Sequence, residues 1–167
     1  MKHNIKKISF LALSVSLAMI FSYVEAILPP LYVAVPGIKM GLANIVVVAV
    51  LYKFGIREAA IISLLRVILS SLLFGSALTW AYSFAGAVLS LLIMWIIKHT
   101  KVFSVLGVSI LGGVSHNIGQ IAVAVFLFDR IEIWYYLAVL ALTGTLSGIF
   151  VGIFGALATK TLEKIKI

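Results

Sequence analysis

The chain contains no cysteine, and only five of its 167 residues are acidic. Without cysteine it has no disulfide, no thiolate metal site and no thiol for lipid attachment. The lone aspartate, Asp129, falls in a predicted external loop, so no pair of carboxylates is available to hold Mg²⁺ for diphosphate chemistry. A Walker A motif is missing as well, so the chain cannot power ATP-driven transport by itself. We therefore predict a non-enzymatic protein that needs neither a metal ion nor a cofactor.

What the chain has in abundance is apolar sequence. Hydrophobic residues make up 63% of it, charged residues only 11%, and the mean hydropathy is +1.25. These values lie outside the range of soluble proteins and are typical of a polytopic α-helical membrane protein. Every loop is short, which leaves no room for a separate soluble domain. We predict a single transmembrane domain over residues 1–167, embedded in the lipid bilayer.

Apolar runs long enough to cross a hydrocarbon core of about 30 Å predict an all-α bundle of six transmembrane helices. A cleaved signal peptide is the alternative for the first of them, because three lysines precede it and Val24-Glu25-Ala26 loosely resembles a cleavage site. The apolar stretch is longer than that of a usual signal peptide, so we expect a retained helix. The second and third spans are short. The six predicted spans are Ile8–Leu28, Ile38–Tyr52, Ala59–Phe74, Leu78–Ile97, Phe103–Phe128 and Ile133–Ala158.

The positive charges predict how the helices are oriented. With both termini inside, ten lysines and arginines fall on the cytoplasmic side, and only Arg130 falls in an external loop. This bias predicts a protein of the bacterial cytoplasmic membrane with both termini inside. The isoelectric point near 9.9 follows from the topology, so nucleic acid is not an expected partner. The cytoplasmic set is Lys2, Lys6, Lys7, Lys53, Arg57, Lys98, Lys101, Lys160, Lys164 and Lys166.

Arg66 lies in the third predicted span, about 13 Å beyond Arg57 at a rise of about 1.5 Å per residue. A cation at that depth costs about 2.5–3.5 kcal/mol even on a lenient scale, so it is expected to face a partner, a cavity or a ligand. Its planar guanidinium group suits a carboxylate or a phosphate. The alternative is structural: Glu25, near the outer end of the first span, could neutralise a cation and hold the helices together.

Further polar residues lie at similar depths in other spans. Gly113, His116, Asn117 and Gln120 form one stripe at i, i+3, i+4 and i+7 of the fifth span. His116 could contact a ligand, relay a proton or form a packing hydrogen bond, but the histidines are too far apart to predict a metal site. We predict a pocket that opens outward and binds a small anionic molecule, although Lys39 could extend outward into water instead. The predicted lining is Lys39, Asn44, Arg66, His116, Asn117 and Gln120.

Small residues mark two helix faces. Gly144, Gly148 and Gly152 recur every four residues in the sixth span, a spacing that lets another helix approach closely, so we expect a structural contact there. In the first span, small residues stand among large aliphatic ones and could pack internally or dock a partner membrane protein. These residues are Ala12, Ser14, Ser16 and Ala18.

Three segments of the sequence are distinctive: Pro36–Ile45, Arg57–Ala59 together with Arg66, and Gly112–Gln120. They resemble the Gx transporter family, whose members are commonly labelled heptaprenyl diphosphate synthase component I. That family resembles, in turn, the substrate-binding S components of energy-coupling factor (ECF) transporters. The resemblance extends over roughly residues 8–158 and implies a six-helix bundle like that of an S component.

The resemblance implies a subunit that captures a small, vitamin-like molecule from outside. Its partners would be one transmembrane coupling protein and two ATPase subunits of an ECF module. The first helix of S components usually forms the docking face, which would assign that role to the four small residues of the first span. The family label implies an alternative function, an accessory membrane component of a polyprenyl diphosphate synthase system. A third interpretation is a structural membrane protein whose polar residues only mediate assembly.

Overall fold

The computed structural model describes residues 2–27 and 41–164, and within them it contains helices and no β-strand. Six α-helices follow one another, and a short 3-10 helix, Ile131–Tyr136, precedes the last of them. The prediction of an all-α protein is therefore confirmed. The α-helices are α1 (Lys2–Ile27), α2 (Asn44–Lys53), α3 (Ile56–Phe74), α4 (Ala77–Thr100), α5 (Val105–Phe128) and α6 (Leu137–Glu163).

Helix length and composition identify a membrane protein. Within the described residues, four segments are long and apolar enough to cross a bilayer: Ile5–Ile27, Ala77–Thr100, Val105–Phe128 and Ile131–Glu163. The other two helices differ, because α2 has only 10 residues and α3 carries two arginines and a glutamate among its 19. Six spans with both termini in the cytoplasm therefore stay a prediction.

The second predicted span begins too early. The prediction starts it at Ile38, which lies outside the described residues, whereas α2 begins at Asn44. Gly41 has a φ of +83°, a left-handed conformation that a helix interior does not contain. The three residues from Gly41 to Ala43 form a turn instead, in which the Asn44 N–H donates to the Gly41 carbonyl oxygen at 2.9 Å.

The start of the sixth predicted span, at Ile133, lies inside the candidate membrane-spanning segment Ile131–Glu163, although α6 itself begins later. The first four residues of the predicted span, from Ile133, belong to the 3-10 helix, and α6 begins only at Leu137. Asp129 adopts a left-handed conformation with a φ of +50° and ends α5 there. The chain then makes the tighter 3-10 turn before α6 starts, a connection that apolar sequence alone does not reveal.

α2 lies in the centre of the bundle. Every residue from Asn44 to Leu51 is buried, so no side of this helix faces outward. α1, α3 and α6 pack against it, and Lys98 of α4 donates from Nζ to the Leu51 carbonyl oxygen at 2.7 Å. A helix that is apolar on all sides is stable when other helices surround it. The N-terminus of α2 is consequently enclosed by the other helices.

The glycine ridge of α6 packs against α5, which confirms the predicted close contact. A Cβ atom at Gly148 would lie 2.6 Å from the Ile110 Cα atom, and one at Gly152 would lie 2.9 Å from the Leu106 Cα atom. These distances leave no space for a side chain, so the two backbones meet directly. The contact fixes α5, and with it His116 and Gln120, relative to α6.

Candidate functional site

The turn that precedes α2 is bound by a carboxylate from another helix. Glu25, near the end of α1, accepts hydrogen bonds at Oε1 from the backbone N–H groups of Gly41 at 2.5 Å and Leu42 at 2.9 Å. The first amides of α2 donate to the carbonyl oxygens of this turn, so the N–H groups of Gly41 and Leu42 are left for an acceptor from elsewhere, and their partial positive charge attracts an anion. The sequence suggests only a neutralising role for Glu25, and the structure adds its hydrogen bonds to the turn before α2.

Arg66 of α3 points into the same region. It is 2% exposed, and its Nη2 atom lies 3.5 Å from the Asn44 Oδ1 atom, a long contact for a hydrogen bond. The Glu25 carboxylate interacts electrostatically with the guanidinium group. The Arg66 Nε atom is buried and has no hydrogen-bond acceptor among the described residues. This arginine therefore has a counter-charge nearby while part of its donor capacity is unused.

His116 and Gln120 of α5 close the other side of this region. Both are almost fully buried, and their Nε2 atoms lie 3.2 Å apart. The His116 ring lies against Gly86 of α4, since a Cβ atom at Gly86 would be 2.9 Å from the ring Cε1 and Nδ1 atoms. A Cβ atom at Gly41 would be 3.6 Å from His116 Cδ2, so the ring also adjoins the turn before α2.

We call this group of side chains around the N-terminus of α2 the polar centre. It draws on α1, α2, α3 and α5, and the remaining helices enclose it. Its single anionic and single cationic side chains balance, which lowers the cost of burying both. Among the described residues, Arg66 thus has an anionic neighbour, Glu25, that was not among the predicted lining residues. The members of the polar centre are Glu25, Asn44, Arg66, His116 and Gln120.

Of the other two predicted lining residues, the structure describes only Asn117 and places it outside this group. Asn117 donates from Nδ2 to the Leu140 carbonyl oxygen at 2.7 Å, which ties α5 to α6. A Cβ atom at Gly144 would be 3.0 Å from the same nitrogen, so Asn117 occupies the α5–α6 contact. Lys39 lies outside the described residues. The structure therefore brings together four of the six predicted residues and adds Glu25.

A narrow crevice continues from Asn44 between α4, α5 and α6. Its polar lining consists of Asn44, Ser90, Ser109 and Ser147. The hydroxyl groups of Ser90 and Ser109 have no hydrogen-bond partner among the described residues, although both side chains are about 1% exposed. The passage is too narrow for a water molecule. It is a tight crossing of helices with a polar lining.

An apolar cleft lies between α3 and α4 and is separate from the polar centre. Its volume is about 230 Å³, and all but one of its lining residues are aliphatic. Leu64, Val88 and Leu92 are each at least 40% exposed, so the cleft is open to the surroundings of the bundle. The cleft suits a hydrocarbon chain. Its lining is Ile56, Ala60, Ser63, Leu64, Ala87, Val88, Leu91 and Leu92.

The predicted docking residues of α1 lie on two different faces. Ser14 and Ala18 are buried inside the bundle, with exposed fractions of 6% and 0%. Their place is explained by internal packing, so they are not available to a partner. Ala12 and Ser16 are exposed on the opposite face. A docking face on α1 is thus reduced to these two small residues and the large aliphatic residues beside them.

Comparison with known protein families matches residues 14–158 to the family described as heptaprenyl diphosphate synthase component I. The matched residues include every member of the polar centre. No curated protein and no solved structure matches the chain. The likeness to S components accordingly stays a prediction. The match spans most of the sequence, and the chain belongs to the heptaprenyl diphosphate synthase component I family.

Proposed function

We propose that this chain is a non-catalytic membrane component of a polyprenyl diphosphate synthase system. In this role it binds the anionic group of a ligand at the polar centre and leaves prenyl-chain synthesis to a partner protein. The family description supports the synthase system. The buried guanidinium group of Arg66 supports the binding role, and it is the observation that carries the proposal.

The chemistry of the polar centre favours a phosphate-containing ligand. A guanidinium group offers five N–H donors in a planar fork that matches phosphate oxygens. The partial positive charge at the N-terminus of α2 adds to it. Because the surroundings exclude water, each of these interactions is stronger than it would be at the surface. Isoprenoid diphosphates combine such a group with a hydrocarbon chain.

The acidic residues favour a separate catalytic partner. The sequence has one aspartate and four glutamates, and none is adjacent to another. Within the described residues, no three histidine, aspartate or glutamate side chains come together. Mg²⁺-dependent diphosphate chemistry uses grouped carboxylates, so we assign that chemistry to the partner.

Ligand binding is tested with the full chain in nanodiscs and farnesyl diphosphate as the probe. We expect a ligand concentration of 100 times the dissociation constant to stabilise the protein by about 2.7 kcal/mol in a thermal unfolding assay. Arg66→Lys keeps the charge but removes the planar fork, so it should lose most of this shift. Arg57→Lys is the matched control, because Arg57 is exposed on the same helix. An equal shift in all three proteins would contradict the binding role of Arg66.

The synthase role is tested by reconstitution with a soluble prenyl diphosphate synthase from the same cell. The membrane component should raise product yield or product length when both are present on vesicles. Arg66→Lys should reduce that effect, and Arg57→Lys should keep it. If the synthase behaves identically with and without the membrane component, the proposed system is wrong.

The second candidate function is the predicted substrate-capturing subunit of an ECF importer. The exposed Ala12 and Ser16 on α1 favour it, because small residues allow a partner helix to approach closely. The test is co-purification with a coupling protein and two ATPase subunits. Ala12→Leu should prevent that complex, while Leu13→Ala, a change on the same exposed stretch, should allow it. Stabilisation by a vitamin and none by farnesyl diphosphate would favour this function over the first.

A further inference from the structure

The turn that leads into α2 already binds an anion, the carboxylate of Glu25. One Glu25 oxygen accepts from two consecutive backbone amides, those of Gly41 and Leu42, at 2.5 and 2.9 Å. The helix that follows is buried over eight consecutive residues, so its dipole acts in surroundings poor in water. The two amides and the guanidinium group of Arg66 form a seat for an anion, which we call the anion seat.

Arg66 is the second observation that points to a ligand at this position. It is 98% buried, yet its Nε–H has no acceptor among the described residues, and its contact with Asn44 is long, at 3.5 Å. Buried donors in proteins are nearly always paired, so an unpaired one is unfavourable. A phosphate group has more acceptor oxygens than a carboxylate and could meet both the amides and the guanidinium donors.

We infer that Glu25 is a tethered competitor for the anion seat, and that a diphosphate ligand binds by displacing it. The inference rests on the ligand site of the proposed function and defines how the site opens. The ligand takes over the hydrogen bonds from Gly41 and Leu42 and accepts from the unpaired Nε–H group of Arg66. The Glu25 side chain then moves away from the seat.

Electrostatic repulsion favours a diphosphate that replaces the Glu25 carboxylate over one that binds beside it. With Glu25 in place, the negative charge of its carboxylate and the positive charge of the Arg66 guanidinium group balance each other. A diphosphate added next to the Glu25 carboxylate would bring like charges together in surroundings of low dielectric constant, where repulsion is strong. Replacing one anion with another avoids that repulsion. The occupied seat also excludes weakly bound anions, so only a ligand with several acceptor oxygens can enter.

The exchange has a structural consequence for α1. Glu25 belongs to α1 and Gly41 precedes α2, so their hydrogen bond joins these two helices. Displacing Glu25 removes that bond. We therefore expect ligand binding to loosen the end of α1 from the end of α2, while the ion pair between Lys7 and Glu58 still holds the other end of α1 to α3.

The test compares the affinity of wild type and Glu25→Gln for inorganic pyrophosphate. Calorimetry on the full chain in nanodiscs of zwitterionic lipid keeps anionic headgroups from competing. Glutamine retains a carbonyl oxygen that can accept from the two amides, so the end of α2 stays capped while the charge is removed. We expect the dissociation constant to fall by about tenfold, because the neutral amide holds the seat less tightly than the carboxylate and leaves it vacant for a larger fraction of the time.

Two further variants separate competition from a general change in structure. Glu58→Gln makes the same chemical change in a carboxylate that pairs with Lys7 away from the seat, and it should bind pyrophosphate as wild type does. Adding Arg66→Lys to Glu25→Gln should abolish the gain in affinity. Equal or weaker binding by Glu25→Gln, or no binding of pyrophosphate by either protein, would overturn the inference.

The pyrophosphate-binding test of Glu25→Gln can succeed or fail independently of the tests of the proposed function. If farnesyl diphosphate binds in an Arg66-dependent manner but Glu25→Gln binds pyrophosphate no better than wild type, the proposed function stands and the competitor role fails. If Glu25→Gln gains affinity but the synthase is unaffected by the membrane component, the competitor role stands and the synthase system fails.

Discussion

Lys7 of α1 and Glu58 of α3 form an ion pair in which the Nζ and Oε1 atoms are 2.5 Å apart. The Lys7 side chain is 39% exposed and that of Glu58 is 17% exposed. The hydrogen bond from Lys7 is the main reason that the pKa of Glu58 lies below its ordinary value of 4.5. Both residues lie outside or at the edge of the predicted spans, so the pair can respond to the pH of the solution.

We predict that this ion pair makes stability sensitive to acid. An exposed pair contributes at most about 1 kcal/mol to the free energy of unfolding. Since the pKa of Glu58 is lowered in the folded protein, the contribution is complete above about pH 4.5 and is lost as the pH falls through the folded pKa. Thermal unfolding in detergent should show a smaller acid-induced loss for Glu58→Gln than for wild type. Glu132→Gln, in the exposed 3-10 helix, is the control and should match wild type.

Gly148 is a position at which we expect a larger side chain to be strongly destabilising. A Cβ atom there would meet the Ile110 Cα atom at 2.6 Å, and backbone cannot move aside as a side chain can. Gly148→Leu should therefore separate α5 from α6 and lower the free energy of unfolding by about 1–3 kcal/mol or more. Ala138→Leu, on an exposed face of α6, should change it little. Equal melting temperatures for the two variants would contradict the close contact.

Lys98 stabilises the C-terminal end of the central helix. Its Nζ atom donates to the Leu51 carbonyl oxygen at 2.7 Å and lies 4.9 Å from the centre of the Tyr52 ring. Lys98→Met keeps much of the side-chain volume but removes the charge and the hydrogen bond, which should cost about 1.5–3 kcal/mol. Chemical denaturation would measure the loss. Lys160→Met, on the exposed side of α6, should cost much less.

The central position of α2 could be anticipated from its sequence, but its beginning could not. The run Ile45–Leu51 is apolar at every position, so it has no side suited to water, and burial on all sides follows. The start at Asn44 depends on the turn at Gly41 and on the carboxylate that caps it. That carboxylate comes from Glu25, sixteen residues earlier, and such a pairing is a property of the tertiary structure.

The predicted stripe on α5 was only partly right about the candidate site. His116 and Asn117 are neighbours in sequence, and each is buried and polar. One residue turns a helix by about 100°, so the two side chains meet different helices. His116 lies against Gly86 of α4, while Asn117 binds the Leu140 carbonyl of α6. Periodicity predicted that both lie on one stripe, but the arrangement of α4 and α6 around α5 decides what each contacts.

The contact between His116 and Gln120 predicts which of the two ring nitrogens of His116 carries the proton. The Gln120 amide Nε2 atom can only donate, so the His116 Nε2 atom, 3.2 Å away, must accept. A neutral imidazole that accepts at Nε2 carries its proton on Nδ1. In Gln120→Glu a carboxylate replaces the amide and can only accept. The proton of His116 should therefore move to Nε2, or the ring should become doubly protonated.

Nitrogen NMR of the imidazole rings would measure this difference, because protonated and unprotonated ring nitrogens give distinct signals. The chain has only three histidines, which simplifies the assignment. His99, whose Nδ1 atom lies 2.7 Å from the Trp95 carbonyl oxygen, is an internal control and should keep its tautomer in both proteins. A wild-type His116 already protonated on Nε2 would mean that the Gln120 carbonyl oxygen, and not its nitrogen, faces the ring. The polar centre would then present the Gln120 amide N–H groups, instead of its carbonyl oxygen, to a ligand, and this would strengthen its preference for anions.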